Sequence, residues 1–435
     1  MPSPSATPAA APSAVSLASV AFAYAGNHDA IRLRDPATDQ LIATPEWVAK
    51  GASNPAAYVR GTRPSVQATF SGKPGSTIHL TVGARSKPGP GLTLTDATLT
   101  FDATGHSGPV NLQMETALPG AISSLQLHWD WYSIVGGQET SLGSSAHEIL
   151  VTLAPLTDPV EWAAHPAPVD PPDQAGMRWT YLPLIRWTTK WATGLQDSKA
   201  ICDAIIAQVG TTGLKYGIGA WTVRNMLNAG GGFCGGWYRL FQALAGTQGV
   251  EVERRSYLVD WPAGAPTTVK WCAIVVQNPG LNRTEPIEGS ATYHDADQAP
   301  LSKCAVAELT THRYRFWGLP GKIADGHCIN FLKNGDGWIL YDSSFFNHGI
   351  ALTGFTLPSG DDPKTVDLKS QGNLLTAYFQ NAVGFMLGSL ENSGHSYVTE
   401  HPAPGGTVAY TRNGLTVKTQ VVFDSGDTIR FYWST

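Results

Sequence analysis

Between residues 16 and 155 apolar and polar side chains change places at every second position. Leu125, Leu127, Trp129 and Trp131 alternate with Gln126, His128 and Asp130, and shorter runs at Thr77–Val82 and Leu92–Thr95 repeat the pattern. A period of two is that of a strand with one face on a core and one on water. The 46 Gly and 30 Pro give 76 of 435 positions to turn formers, while charged residues make up only 14%, so the strands are interrupted often and many short ones are expected. The expected unit over 16–155 is an antiparallel β-sandwich, immunoglobulin-like in layout. Residues 1–15, rich in Ser, Pro and Ala and without charge, cannot bury enough to fold alone and read as a flexible leader.

The Pro-rich stretch 156–175 reads as a linker, and the pattern changes beyond it. Helical spacing is found at Ser198–Val209, Trp221–Leu227 and Cys234–Ala245, followed by strand-like runs at Val250–Val259, Val269–Val276, Gly326–Leu332 and Trp338–Ser343. Helices first and antiparallel strands after them make the expected class α+β, with a central domain over 176–385. The segment 386–435 returns to strands, with a hairpin expected at Asn413-Gly414.

A net charge of −5 with no basic stripe argues against nucleic-acid binding. No apolar run approaches the roughly 20 residues of a spanning helix, and no charged start marks an export signal. The five cysteines, at 202, 234, 272, 304 and 328, contain no Cys-x-x-Cys pair, so neither a metal site nor another cofactor is expected. His294-Asp295-Ala296-Asp297 reads as an exposed acidic turn, Asn282-Arg283-Thr284 as a weak sequon, and Asp361-Asp362-Pro363 as a turn.

One stretch carries chemistry. Gly230-Gly231-Gly232-Phe233-Cys234-Gly235-Gly236-Trp237 runs directly into Leu240, Phe241 and Leu244, which puts Cys234 at a helix N-terminus, where N–H groups and the dipole favour a thiolate. The glycines would let a substrate approach the backbone. The plainer reading makes Cys234 a small buried hydrophobe in a loop. Downstream, Gly326-His327 opens a strand, and Trp338–Asp342 forms the next. If Asn334-Gly335 is the two-residue turn between them, Lys333 pairs with Asp336 and His327 stands opposite Asp342, with Cβ atoms about 5 Å apart. A carboxylate there would orient the imidazole toward a nucleophile. Cys328 falls on the other face of its strand and reads as packing, as do Cys202, Cys272 and Cys304.

These residues resemble the transglutaminase-like cysteine enzymes, a superfamily that includes transglutaminases, bacterial proteases and amidases, and peptide N-glycanases. The resemblance spans about Lys199–Phe346. It rests on Gly232 to Trp237 with Leu240, Phe241, Leu244 and Gly249, then on Gly326-His327 with Trp338 and Asp342. It implies a papain-like central fold, Cys234 as nucleophile, His327 as base and Asp342 as orienting acid. It further implies an oxyanion and substrate-binding set drawn from Trp221, Trp191, Gly235, Gly236 and Trp237. The expected substrate is a protein, peptide or glycopeptide amide, with hydrolysis favoured over cross-linking, deamidation or glycanase action, and a secreted enzyme is the expected setting. The rival reading is a non-catalytic binding module. Nucleophile and base stand 93 positions apart, and the stretch between them includes a polar insertion at about 278–320 that would line or cover the cleft.

Overall fold

The computed structural model describes residues 15–24, 29–72, 80–87, 92–135, 137–157, 178–216, 220–260, 269–277, 314–317, 327–344, 347–352, 357, 364–367, 383–390, 396–400, 409–412, 415–418 and 430–434. The leader, most of the linker and most of the 278–320 insertion therefore lie outside the described residues. So do Cys304, the acidic turn at 294–297, the sequon and Asp361–Pro363. Two compact units emerge, and neither is contiguous in sequence. The first takes Met1–Thr157, Pro166–Gln196 and Thr247–Gly249; the second takes Asp158–His165, Asp197–Gly246 and Val250–Thr435.

In the first unit the strands are β1 Ser16–Phe22, β2 Ala30–Arg34, β3 Trp47–Val48, β4 Ala56–Val59, β5 Ser65–Ser71 and β6 Leu80–Lys87. They continue with β7 Leu94–Leu99, β8 Val110–Gln113, β9 Ser123–Val135, β10 Gln138–Thr152 and β11 Trp179–Tyr181. One sheet runs β3-β1-β5-β8 and the other β11-β2-β4-β10-β9-β6-β7. Both contribute to one core: Val20, Phe22, Val66 and Phe70 from the first meet Tyr58, Val82, Trp129, Trp131 and Ile149 from the second. The alternation along β9 does what its period requires, burying Leu127, Trp129 and Trp131. The two indole N–H groups, which would be costly to bury unbonded, donate to Leu92 O at 2.9 Å and Ser145 Oγ at 2.8 Å.

The sandwich is not wholly antiparallel, as its sequence led one to expect. β4 runs parallel to β10 and β11 parallel to β2, because β11 arrives from beyond the Pro-rich stretch and extends the edge at β2. It leads into helix α1, Leu182–Trp191, which has Pro183 in its first turn, where the missing N–H is harmless. The buried face of α1 includes Thr188 and Thr189, whose hydroxyls donate to Leu184 O and Ile185 O. That back-bonding lets threonine serve on a core face, and it hides the helix from an apolar-periodicity search.

The second unit opens with helices. These are α2 Ser198–Gln208, capped by Asp197 accepting from Ala200 N, α3 Val223–Ala229, capped by Thr222, and α4 Cys234–Gly246. β12 Lys215–Tyr216 pairs in parallel with β13 Gly231–Gly232 just before α4. The strands that follow are β14 Glu253–Asp260, β15 Val269–Gln277, β16 Tyr314–Trp317, β17 His327–Asn334, β18 Gly337–Asp342 and β19 Asn347–Leu352. After these come β20 Lys364–Asp367, β21 Val383–Leu390, β22 Ser396–Glu400, β23 Ala409–Arg412, β24 Leu415–Lys418 and β25 Arg430–Ser434. The main sheet runs β19-β18-β17-β14-β25-β20, a second runs β16-β15-β21-β22, and β23 pairs with β24. Every pairing in the three is antiparallel. The molecule is thus mixed and strand-rich, and the last strand of the chain is an inner member of the sheet that carries His327 and Asp342.

Candidate active site around Cys234

Close packing of small residues sets the start of α4. Gly231 has φ +154°, and a Cβ there would come within 1.9 Å of Lys215 O, so the approach of β12 to β13 requires glycine. A Cβ on Gly236 would lie 2.5 Å from Met226 Sδ and 2.7 Å from Ala220 O, and one on Gly235 would lie 2.4 Å from the Trp221 ring. Gly235 and Gly236 therefore admit the close approach of Ala220, Met226 and the Trp221 ring. Trp237 is fully buried with its indole N–H bonded to Gly232 O at 3.0 Å, a core position with no surface to offer. Phe233 O accepts from Gly236 N and Trp237 N and starts the helix, leaving Cys234 in the first turn.

Trp221 remains exposed at 53%, one of the large hydrophobic side chains that water reaches. Its ring lies over Gly235, next to Cys234 in the chain, and its carbonyl accepts from Arg239 Nη1 at 2.8 Å. Trp191, the other tryptophan that the resemblance offers as an oxyanion donor, ends α1 in the first unit, stacked on Trp187 with ring centroids 5.9 Å apart.

The Cys234 thiol is buried and faces Cys328. Its S–H hydrogen-bonds to the Cys328 sulfur, while the Cys328 backbone N–H donates to the Cys234 sulfur. The first of these contacts, followed by burial, the charge on Cys328 and then the charge of Asp342, holds the Cys234 thiol well above its ordinary pKa. The thiolate expected from the helix start is therefore not the resting form. Cys328, read from sequence as packing, is the immediate neighbour of Cys234 and is itself half-buried. Cys202 does pack: it is fully buried in α2, and burial pushes its thiol up. The side chain of Cys272 lies outside the described residues.

The hairpin of β17 and β18 differs from the expected register. Asn334 pairs with Gly337, and the two-residue turn is Gly335-Asp336, with Gly335 at φ +57°. Positive φ at the first turn position is the type II′ pattern. Phe331 then faces Leu340 and Leu332 faces Ile339, all buried. The Asn334-Gly335 turn would instead have set Leu332 against Gly337, wasting that apolar contact. The pairing of β17 with β18 ends at Asn330 and Tyr341, and β18 shifts register against β19 between Leu340 and Asp342, so Asp342 is not paired opposite His327 as the Asn334-Gly335 turn would have it. Of His327 the backbone is described: it opens β17 and pairs with Tyr257. The reach of its imidazole lies outside the described residues. Asp342 is fully buried, and its Oδ1 accepts from Ser344 N at 3.1 Å.

The strand and α4 are locked together one step further in. Asn330 Nδ2 donates to Tyr238 O at 3.0 Å, and the Tyr341 ring stacks on Phe241 at 5.2 Å. Thus Cys328, Asn330 and Tyr341 belong to the sheet face covered by α4, while the alternation gives position 327 the opposite parity. The structure brings Cys234 and Cys328 together, sets Asp342 near enough for its charge to act on the Cys234 thiol, and leaves the Trp221 ring over the adjoining Gly235. No group of three or more metal-ligating side chains occurs among the described residues, and no described helix is long and apolar enough to cross a membrane. No protein-family model matches the sequence, and a search of curated proteins finds no similar chain.

Proposed function

We propose that the second unit is a thiol-dependent hydrolase of amide bonds, with Cys234 as its nucleophile. The observation that carries this reading is a buried thiol in the first turn of α4, seated against the residue that follows His327 and within electrostatic influence of Asp342. In this reading His327, the first residue of β17 and of opposite parity to Cys328, turns around the start of the strand to take the Cys234 proton as the sulfur attacks the carbonyl, and returns it to the departing amine. Water then cleaves the thioester, with His327 again as base and Asp342 holding the imidazolium. A raised thiol pKa suits such a sequence, since the proton leaves only when substrate and base are in place. The exposed Trp221 ring supplies an apolar platform for the acyl chain. A papain-like arrangement of helix and sheet belongs to the same proposal.

The test is a library of peptide and side-chain amides incubated with the full chain and read by mass spectrometry. Cleavage or deamidation that disappears in Cys234→Ala, with the melting temperature retained, supports the reading. A second reading, a binding module without turnover, is favoured by the exposed indole of Trp221. It predicts substrate-independent capture through Trp221 and no product at any enzyme concentration.

A further inference from the structure

The Cys234 and Cys328 thiols stand in mutual contact, and this follows from the packing of two rigid elements. Asn330 Nδ2 meets Tyr238 O. Moving back four residues along a helix covers about 6 Å, and two along a strand about 6.6 Å. One step toward the start of each element therefore brings Cys328 level with Cys234. The Cys234 sulfur reaches both the thiol and the backbone N–H of Cys328. Two thiols in hydrogen-bond contact start from a separation that rotation of the side chains shortens toward the roughly 2.05 Å of an S–S bond. Neither cysteine is in a disulfide here. Cys234 is buried, while Cys328 is partly open to solvent, and so one of the pair is accessible to a small oxidant.

We propose that Cys234 and Cys328 form a reversible disulfide when the protein meets a peroxide. The Cys328 sulfur attacks the peroxide, the O–O bond breaks, and sulfenic acid and water result: sulfur loses two electrons and peroxide gains them. The Cys234 sulfur then attacks the sulfenic sulfur, an S–S bond forms as the S–O bond breaks, and the departing hydroxide takes the Cys234 thiol proton to leave as water. A dithiol reductant reverses the bond by exchange. On the reading that Cys234 is the nucleophile, this bond is also an off-switch for hydrolysis; the bond itself does not depend on that reading.

The experiment is a peptide map of the full chain after stepwise hydrogen peroxide, with remaining thiols blocked and no reductant added. Most of the oxidised Cys234 should appear in a peptide pair joined to Cys328, and dithiothreitol should release both as thiols. In Cys328→Ser the pair should vanish, and buried Cys234, without the sulfur that meets the oxidant, should stay a thiol at peroxide doses that join the pair in the native protein. Cys328→Ala, with circular dichroism for folding, guards against loss of structure. Oxidation of either cysteine to sulfinic acid in the native protein with no joined peptide overturns the proposal, as does pairing of Cys234 with another cysteine. Amide hydrolysis, followed alongside, separates the two ideas: a joined pair in a protein that cleaves nothing when reduced removes the hydrolase reading and leaves the disulfide standing.

Discussion

At Cys234 two influences oppose each other. The helix start favours the thiolate by about 0.3–1 kcal/mol at exposed sites. Donation of its proton to Cys328, followed by burial, favours the thiol, and these win. Removing the partner should reverse the balance. At fixed neutral pH, Cys328→Ala should raise the rate of iodoacetamide labelling at Cys234 at least severalfold and move the labelling curve to lower pH. An unchanged curve would mean that burial alone holds the proton. His147, deep in the first unit, offers a test of stability. Burial lowers its pKa from 6.5 to about 3; the ring centroid lies 4.6 Å from that of Trp129 with the planes tilted by 50°, and the ring shares a hydrogen bond with Ser145 Oγ at 2.7 Å. Because the folded value is the lower one, the unfolded chain binds this proton first. Stability is therefore fully present above pH 6.5 and falls toward pH 3, by up to about 1.4 kcal/mol per pH unit from this one group. Glu46, buried with a raised pKa, acts with the opposite sign, so its contribution is present at low pH and lost as pH rises through its folded value. His147→Phe should flatten the acid limb of a thermal-melt series, and an unaltered slope would exclude the histidine as its source.

At the level of elements, α4 was legible because its apolar residues recur at 3.6-residue spacing after a glycine run, and β9 because its alternation is strict. The register of β17 on β18 was not. Asn334-Gly335 and Gly335-Asp336 are both acceptable two-residue loops, and what separates them is the pairing of Phe331 with Leu340 and Leu332 with Ile339, a contact across the hairpin. Local turn chemistry does not contain that information. The contact of Cys328 with Cys234 was hidden for a similar reason. Alternation tells which residues share a face, but which face α4 covers is decided by packing such as Asn330 on Tyr238. The glycines around Cys234 were visible, while their purpose was not, since a close approach looks the same in sequence whether a ligand or another part of the chain makes it. Gly236→Ala tests the assignment to packing. The added Cβ meets Met226 Sδ and the Ala220 carbonyl, and overpacking of this kind costs typically 1–3 kcal/mol. Met226→Ala should recover part of the loss; no recovery would place the strain in the backbone at Ala220.

On the scale of the whole molecule, the first unit is assembled from separated stretches of chain. β11 covers the edge of β2, and α1 is tied to the sheet by Arg186 to Glu148 Oε2 at 2.6 Å and by Gly194 N to Ile122 O at 2.9 Å. A fragment ending at 157 lacks both elements and exposes β2 as a sheet edge, a template for association. A fragment of residues 16–196 should therefore melt higher and stay monomeric at concentrations where 16–157 aggregates, as seen by scattering. Equal behaviour would show that β11 and α1 are dispensable.

Residues Thr247–Gly249 belong to this unit as well. Gln248 is fully buried, accepting from Leu153 N at 3.2 Å and donating to Thr188 Oγ1 at 2.9 Å, and Thr188 shares a 2.7 Å hydrogen bond with Thr247. Seen from the ribosome, this arrangement fixes an order of events. Chains emerge N-terminus first, so β1 to β10 are out early, yet their backbone at Leu153 waits for its partner until residue 248 has been made. By then α2, α3 and the cysteine-bearing α4 have also been made. The first unit of the chain to begin folding cannot be finished before the helical start of the second exists.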